Sequence, residues 1–222
     1  MECKSSKYVA ELVGTFALIF IGAGSVAVQA WSGGAVSLVG IAFAHGLTIM
    51  AMVYAFGHVS GTHINPAVTV SMMVTKKISA CEGVRYIIAQ LIGASLAAFA
   101  LRFIFPSLPN DLGATDLASG ISVGRGIFVE AILTFFLVTS IFGSAVDDRA
   151  AKGFAGLAIG MTITLDILMG GPLTGASMNP ARSFGPALAS GHWTNHAIYW
   201  VGPIAGGIVA GLLHQTVLSK KS

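Results

Sequence analysis

Six stretches of this 222-residue chain are apolar over about the length that a helix needs to cross a bilayer: 8–30, 35–56, 84–105, 124–146, 153–170 and 195–217. A crossing takes about 20 largely apolar residues, because a helix rises about 1.5 Å per residue through a hydrocarbon core of about 30 Å. Only 9% of the residues are Asp, Glu, Lys or Arg, against 55% apolar, where a soluble domain carries roughly 25% charged residues. So little charge cannot make a hydrated surface all round. Lipid must be part of the solvent, and a soluble enzyme is excluded. The 28 glycines agree, since helices in a bilayer use small residues to bring backbones together. Gly14, Gly93, Gly160 and Gly206 recur where helices should cross. A net charge of +3, with no basic run longer than two residues, offers nothing to nucleic acid.

Residues 1–7 are polar, and no small-residue cleavage site follows the first apolar run, so that run reads as a membrane helix rather than a removed signal. Cys3 and Cys81, the only cysteines, lie beside lysines, which argues against a disulfide framework. Two further apolar stretches, 66–75 and 180–189, are too short to cross. Ten helical residues reach about 15 Å, half the hydrocarbon thickness. Two half-length helices in corresponding places predict a pair that enters from opposite sides and meets in the middle.

The second half repeats the first. Glu11-Leu-Val-Gly-Thr15 corresponds to Glu130-Ala-Ile-Leu-Thr134, Gly61-Thr-His-Ile-Asn-Pro-Ala to Gly175-Ala-Ser-Met-Asn-Pro-Ala, and Tyr86…Gly93 to Tyr199…Gly206. Each half, 8–105 and 124–217, runs helix, helix, half-helix, helix. Three crossings per half is an odd number, so the halves have opposite orientation, the inverted repeat of many transport folds. Lys4, Lys7, Lys76, Lys77, Arg85, Arg149, Lys152, Lys220 and Lys221 fall on one side of this scheme, and Arg102 and Arg125 near the other. That bias predicts cytoplasmic termini, with 31–34, 106–123 and 190–194 outside.

Each half-helix begins with an Asn-Pro-Ala box, Asn65-Pro66-Ala67 and Asn179-Pro180-Ala181. Asn caps a helix through its side-chain oxygen, and Pro suits the first turn, where no N–H partner is needed. A lone box is an ordinary helix start. Two boxes at equivalent places in an inverted repeat are far more specific. They leave each Asn amide NH₂ as a donor facing the other box.

The paired boxes, with Gly61-Thr-His-Ile before one and Arg182-Ser-Phe-Gly-Pro after the other, resemble the aquaporin (major intrinsic protein) family from Glu11 to about Gly211. The resemblance implies an all-α membrane protein, one domain over 1–222, with six transmembrane helices and two re-entrant half-helices, assembled as a homotetramer with one pore per subunit. It implies a selectivity filter of His45, Ile167, Ala176 and Arg182. Pore-lining carbonyls would come from Gly61, Thr62, His63, Gly175, Ala176 and Ser177. Glu11 and Glu130 would be scaffold carboxylates for the re-entrant loops. His63 would line the cytoplasmic half, while His58 is a candidate pH-sensitive group. The family gives Asp166 no role; it lies at the outer mouth or faces a neighbouring helix. The filter set, with Gly171-Pro-Leu-Thr-Gly-Ala-Ser-Met-Asn179, is similar to plant tonoplast-intrinsic aquaporins, some of which also pass ammonia. Ser183 after Arg182, where glycerol facilitators carry Asp, follows the water-selective pattern.

The expected function is therefore a passive water channel in the lipid bilayer of the cell membrane, with ammonia as an open extension. It needs no cofactor, no metal and no change of covalent state, so it is not an enzyme. A broader ammonia or glycerol facilitator is the alternative. An ion-coupled secondary transporter and a purely structural membrane protein come from other classes. Trp193, Tyr199 and Trp200 fit an aromatic belt, and His192, His196 and His214 lie near helix ends as interfacial residues. The position of a mercury-sensitive cysteine in some relatives is Ala176 here, so mercurials are not expected to block through it.

Overall fold

Lipid offers the backbone no hydrogen-bond partner, so a crossing segment must close its own N–H···O=C bonds as a helix. The structure, a computed structural model, describes residues 5–107 and 111–219; Cys3, Lys4, Lys220 and Lys221 lie outside the described residues. Among the described residues, six helices are long and apolar enough to cross a membrane: α1 (Ser5–Trp31), α2 (Ser37–Ser60), α4 (Ala80–Ile104), α5 (Val123–Val146), α6 (Ala155–Thr174) and α8 (Ile198–Leu218). The half-helices are α3 (Pro66–Val74) and α7 (Pro180–Ser190). The fold is thus the all-α arrangement that the sequence predicts, and among the described residues there is no strand.

Each half-helix packs on a long helix of the other half, α3 against α8 and α7 against α4. Small residues make this possible. A Cβ at Gly207 of α8 would meet Ser71 Oγ of α3 at 2.6 Å, and one at Gly185 of α7 would meet the Ala94 carbonyl of α4 at 2.5 Å. The expected crossing glycines do the same elsewhere: Gly160 lies on the Gly46 carbonyl of α2, Gly93 on that of Leu12, Gly206 on that of Ala131, and Gly14 on the Ile64 side chain. Large apolar side chains instead face outward, among them Phe103, Phe128 and Leu165, as lipid contact permits.

α2 and α6 end alike, on left-handed glycines, Gly61 (φ 83°) and Gly175 (φ 81°), whose N–H groups bond to Gly57 and Gly171. A residue with a Cβ resists that conformation. The chain then enters each box through two further left-handed residues, Thr62 and Ile64 in the first loop, Ala176 and Met178 in the second. Such non-glycine positions cost of order 1–3 kcal/mol each and persist only where the surroundings hold them.

Three stretches were not expected. The ends of α5 and α8, Phe142–Val146 and His214–Leu218, and the middle of α1, Leu18–Ala23, are π-helical. Tyr199 corrects the aromatic-belt expectation. It is fully buried, and its hydroxyl donates to the Thr174 carbonyl at 2.8 Å. Tyr86 does likewise, to Ser60 at 2.9 Å. His214 is also buried, not interfacial.

Candidate functional site

The two boxes meet. Asn65 and Asn179 are extended N-caps (φ −157° and −150°), with Pro66 and Pro180 in the first turn. Asn65 Oδ1 accepts from the Ala67 N–H at 2.8 Å, and Asn179 Oδ1 from Ala181 at 3.0 Å and Arg182 at 3.3 Å. The amide of Asn65 donates to the Met178 carbonyl at 2.8 Å, and that of Asn179 to the Ile64 carbonyl at 2.9 Å. Each amide faces the other box as expected, with one of its two N–H groups bonded to the residue just before the opposite Asn. That leaves one donor per Asn for another partner. Two helix N-termini, each equivalent to roughly half a positive charge, converge there.

Two carboxylates hold the strained loops. Glu11 accepts from Ser60 Oγ (2.7 Å) and from the N–H groups of His63 (2.9 Å) and Ile64 (2.6 Å). Glu130 accepts from Thr174 Oγ1 (2.7 Å), Ser177 N–H (2.9 Å) and Met178 N–H (2.8 Å). Both are fully buried. The halves differ at one point. Gln90 Nε2 also donates to Glu11 at 2.8 Å, whereas the corresponding residue after Tyr199 is Pro203, which has no such donor.

A cavity of about 540 Å³ runs from Lys77, Asp147 and Lys152 at one end, past both boxes, to His45, Ile167, Ala176 and Arg182 at the other. Those last four are 2–4% exposed. Gly61, Thr62, His63, Ala176 and Ser177 line it, as do Ile64 and Met178, which the sequence reading omitted. Gly175 sits instead against Thr115. His58 also lines the cavity, and His63 Nδ1 is 3.1 Å from Thr69 Oγ1.

Arg182 Nη1 donates to the Gly113 carbonyl at 2.6 Å, and its Nε has no partner. Among the described residues no carboxylate forms an ion pair with it. A desolvated guanidinium with no carboxylate in contact keeps a positive field in the cavity. His45 Nδ1 lies 2.9 Å from the Ile41 carbonyl, which can only accept, so Nδ1 is the donor. That Nε2 is unpartnered too.

Gly113, on the short turn Asp111–Gly113, was invisible in sequence because no motif marks a backbone carbonyl as an arginine partner. The same loop sends Thr115 to Ser183, with 2.7 Å between hydroxyls, and Ser183 bonds on to Ser177 at 2.7 Å. Further out, His192 bridges Asp111 (3.0 Å) and Asp116 (2.9 Å), and Asn195 donates to Asp116 at 2.9 Å. Burial opposes ionisation of Asp116, but the bonds from Asn195, the Leu117 N–H and His192 prevail and hold its carboxyl below the ordinary value. At the other end Arg149 holds Asp147 low. Asp166 is buried on α6, outside the cavity lining, with Oδ2 unpartnered.

Residues 2–214 match the major intrinsic protein family. Aquaporin-4 of Mus musculus is 46% identical over 214 residues, which are 94% of this chain and 66% of that protein, so the chain spans just under two thirds of its length. Aquaporin TIP4-4 of Zea mays is 45% identical over 215 residues, 93% of this chain and 84% of the relative. Among solved structures, the aquaglyceroporin from Plasmodium falciparum superposes with a TM-score of 0.85 at 25% identity, with 97% of each chain covered.

Proposed function

The chain belongs to the major intrinsic protein family, and from that premise we propose that it is a passive water channel with Arg182, His45, Ile167 and Ala176 as its outer filter. One observation carries the reading: a single cavity runs past both boxes to a buried arginine that, among the described residues, forms no ion pair with a carboxylate. A water at the boxes turns its oxygen toward the free amide protons of Asn65 and Asn179, and its hydrogens point away along the file. The reversal interrupts a proton wire. The converging helix N-termini and Arg182 repel cations, hydronium included.

At the filter the Arg182 guanidinium donates and the box-loop carbonyls accept, so a small neutral solute that both donates and accepts is favoured. Ile167 makes one wall apolar, which favours ammonia as a second solute. Ser183 after Arg182 argues for water over glycerol, although the structural relative is an aquaglyceroporin. Coupled transport is disfavoured because Glu11 and Glu130 are committed to the loops. We read 8–105 and 124–217 as the two inverted halves, with both termini cytoplasmic by the lysine bias. The outward apolar side chains suit lipid and the subunit contacts of a homotetramer in the cell membrane.

Stopped-flow light scattering on proteoliposomes tests this. Wild type is expected to pass water rapidly and glycerol poorly, and His45→Phe and Ile167→His to shift the preference between water and ammonia. Unchanged preference in both swaps would sink the filter assignment; no water flux above empty vesicles would sink the channel itself.

A further inference from the structure

The middle of α1 contributes no side chain to the filter, yet it touches one filter residue, His45, and the carbonyl partner of another, Gly113. Gly22, in the π-helical turn Leu18–Ala23, is buried. A Cβ there would lie 2.5 Å from His45 Cδ2, 2.7 Å from Nε2 and 3.0 Å from Cγ. The imidazole therefore rests edge-on against bare backbone. Its opposite nitrogen is tied to Ile41 on its own helix at 2.9 Å. One residue on, the Ala23 carbonyl would be 2.6 Å from a Cβ on Gly113, and the Gly113 carbonyl is the one that Arg182 grips.

We infer that the turn Leu18–Ala23 is the backing wall of the filter: Gly22 seats the His45 ring, and Ala23 seats Gly113, which positions Arg182. Gly22 is thus a positioning residue that sets the aperture without lining it. The inference rests on the filter reading above. Its physical content is a distance. Ordinary contact with a Cβ begins at 3.4 Å, so a methyl group at position 22 displaces the ring by about 1 Å, a shift that a tightly packed core does not absorb without rearrangement. With α1 behind it and Ile41 beside it, the ring moves toward the cavity it lines. A π-turn is suited to this task. It is a local widening of a helix, frequent at functional sites, and here it brings Gly22 and Ala23 against two different neighbours.

The test is a double-mutant cycle of wild type, Gly22→Ala, His45→Ala and Gly22→Ala/His45→Ala, read as water flux per channel and as thermal unfolding in detergent. Gly22→Ala is expected to cut water flux about fivefold and to lower the unfolding temperature, and to do neither appreciably when position 45 is alanine, because contacting residues are non-additive. Equal losses in both backgrounds, or no loss in either, would overturn the inference. If Gly22→Ala yields no folded protein, recovery in the double variant supports it and failure of both overturns it. The unfolding arm does not depend on transport. A wild type that passes no water would therefore refute the proposed function while leaving the seat of His45 measurable.

Discussion

Glu11 and Glu130 show how much one buried carboxylate can organise. Each holds two consecutive backbone N–H groups and a hydroxyl where lipid could offer nothing. Each also stabilises a loop with two left-handed residues, the costlier pair being Thr62 and Ile64, whose side chains are branched at Cβ. Glu11→Leu leaves both N–H groups unmet, and a buried orphan costs about 1–3 kcal/mol. Glu11→Gln keeps one accepting oxygen and is expected to lose less. Thermal unfolding in detergent would read the order wild type, Gln, Leu; a Leu variant as stable as wild type would refute the scaffold role. At Ala176, on the cavity wall and 2% exposed, there is no thiol. Mercurials are therefore not expected to block through this position, and Ala176→Cys is expected to make water flux sensitive. Block of the parent protein that survives replacement of Cys3 and Cys81 would contradict this.

The half-helices depend on their starts more than on their lengths. Helix α3 has only nine residues, too few to persist by propensity alone, and its support is the Asn65 cap, the packing on α8 and the tie to Met178. Asn65→Ala removes cap and tie together. Loss of such a cap typically costs about 1 kcal/mol, and the Met178 carbonyl also loses its donor. Asn65→Asp keeps an acceptor for the cap but no amide donor, so it separates the two effects. Hydrogen exchange at the first amides of α3 is expected to accelerate most in the Ala variant, while the carbonyl NMR resonance of Met178, which loses its donor in both, shifts in both. If Met178 is unaffected in both, the tie is not an element of stability.

Across the whole molecule, the loops on the Arg182 side of the cavity are tied to each other by polar contacts. His192, Asp111, Asp116 and Asn195 join the segment after α4 to the segment after α7. The Asp116 carboxyl is held below its ordinary value, so its bonds stabilise the fold above that value, about 3.9 for a free Asp. They are lost as pH falls through the lower, folded value. The unfolding-temperature gap between wild type and Asn195→Ala should accordingly be full at pH 6 and shrink below about pH 4. A gap independent of pH would mean that Asn195 acts by packing alone.

The six crossings, the two half-length helices and the meeting of two boxes were legible because each rests on a local pattern: apolar length, a capping residue, or an internal repeat. Glu11 and Glu130 were legible for the same reason, as carboxylates at matching places in a lipid-bound chain. What only the tertiary structure decided lies between segments far apart in sequence. Gly113 meets Arg182 across 69 positions, and Gly22 meets His45 through a π-turn that apolar periodicity does not register. Tyr199 is a core residue rather than a membrane anchor because α8 turns that face toward Thr174. A sequence records which side chains a segment carries. It does not record which bare backbone a distant ring will rest on, because that is set by how the helices cross.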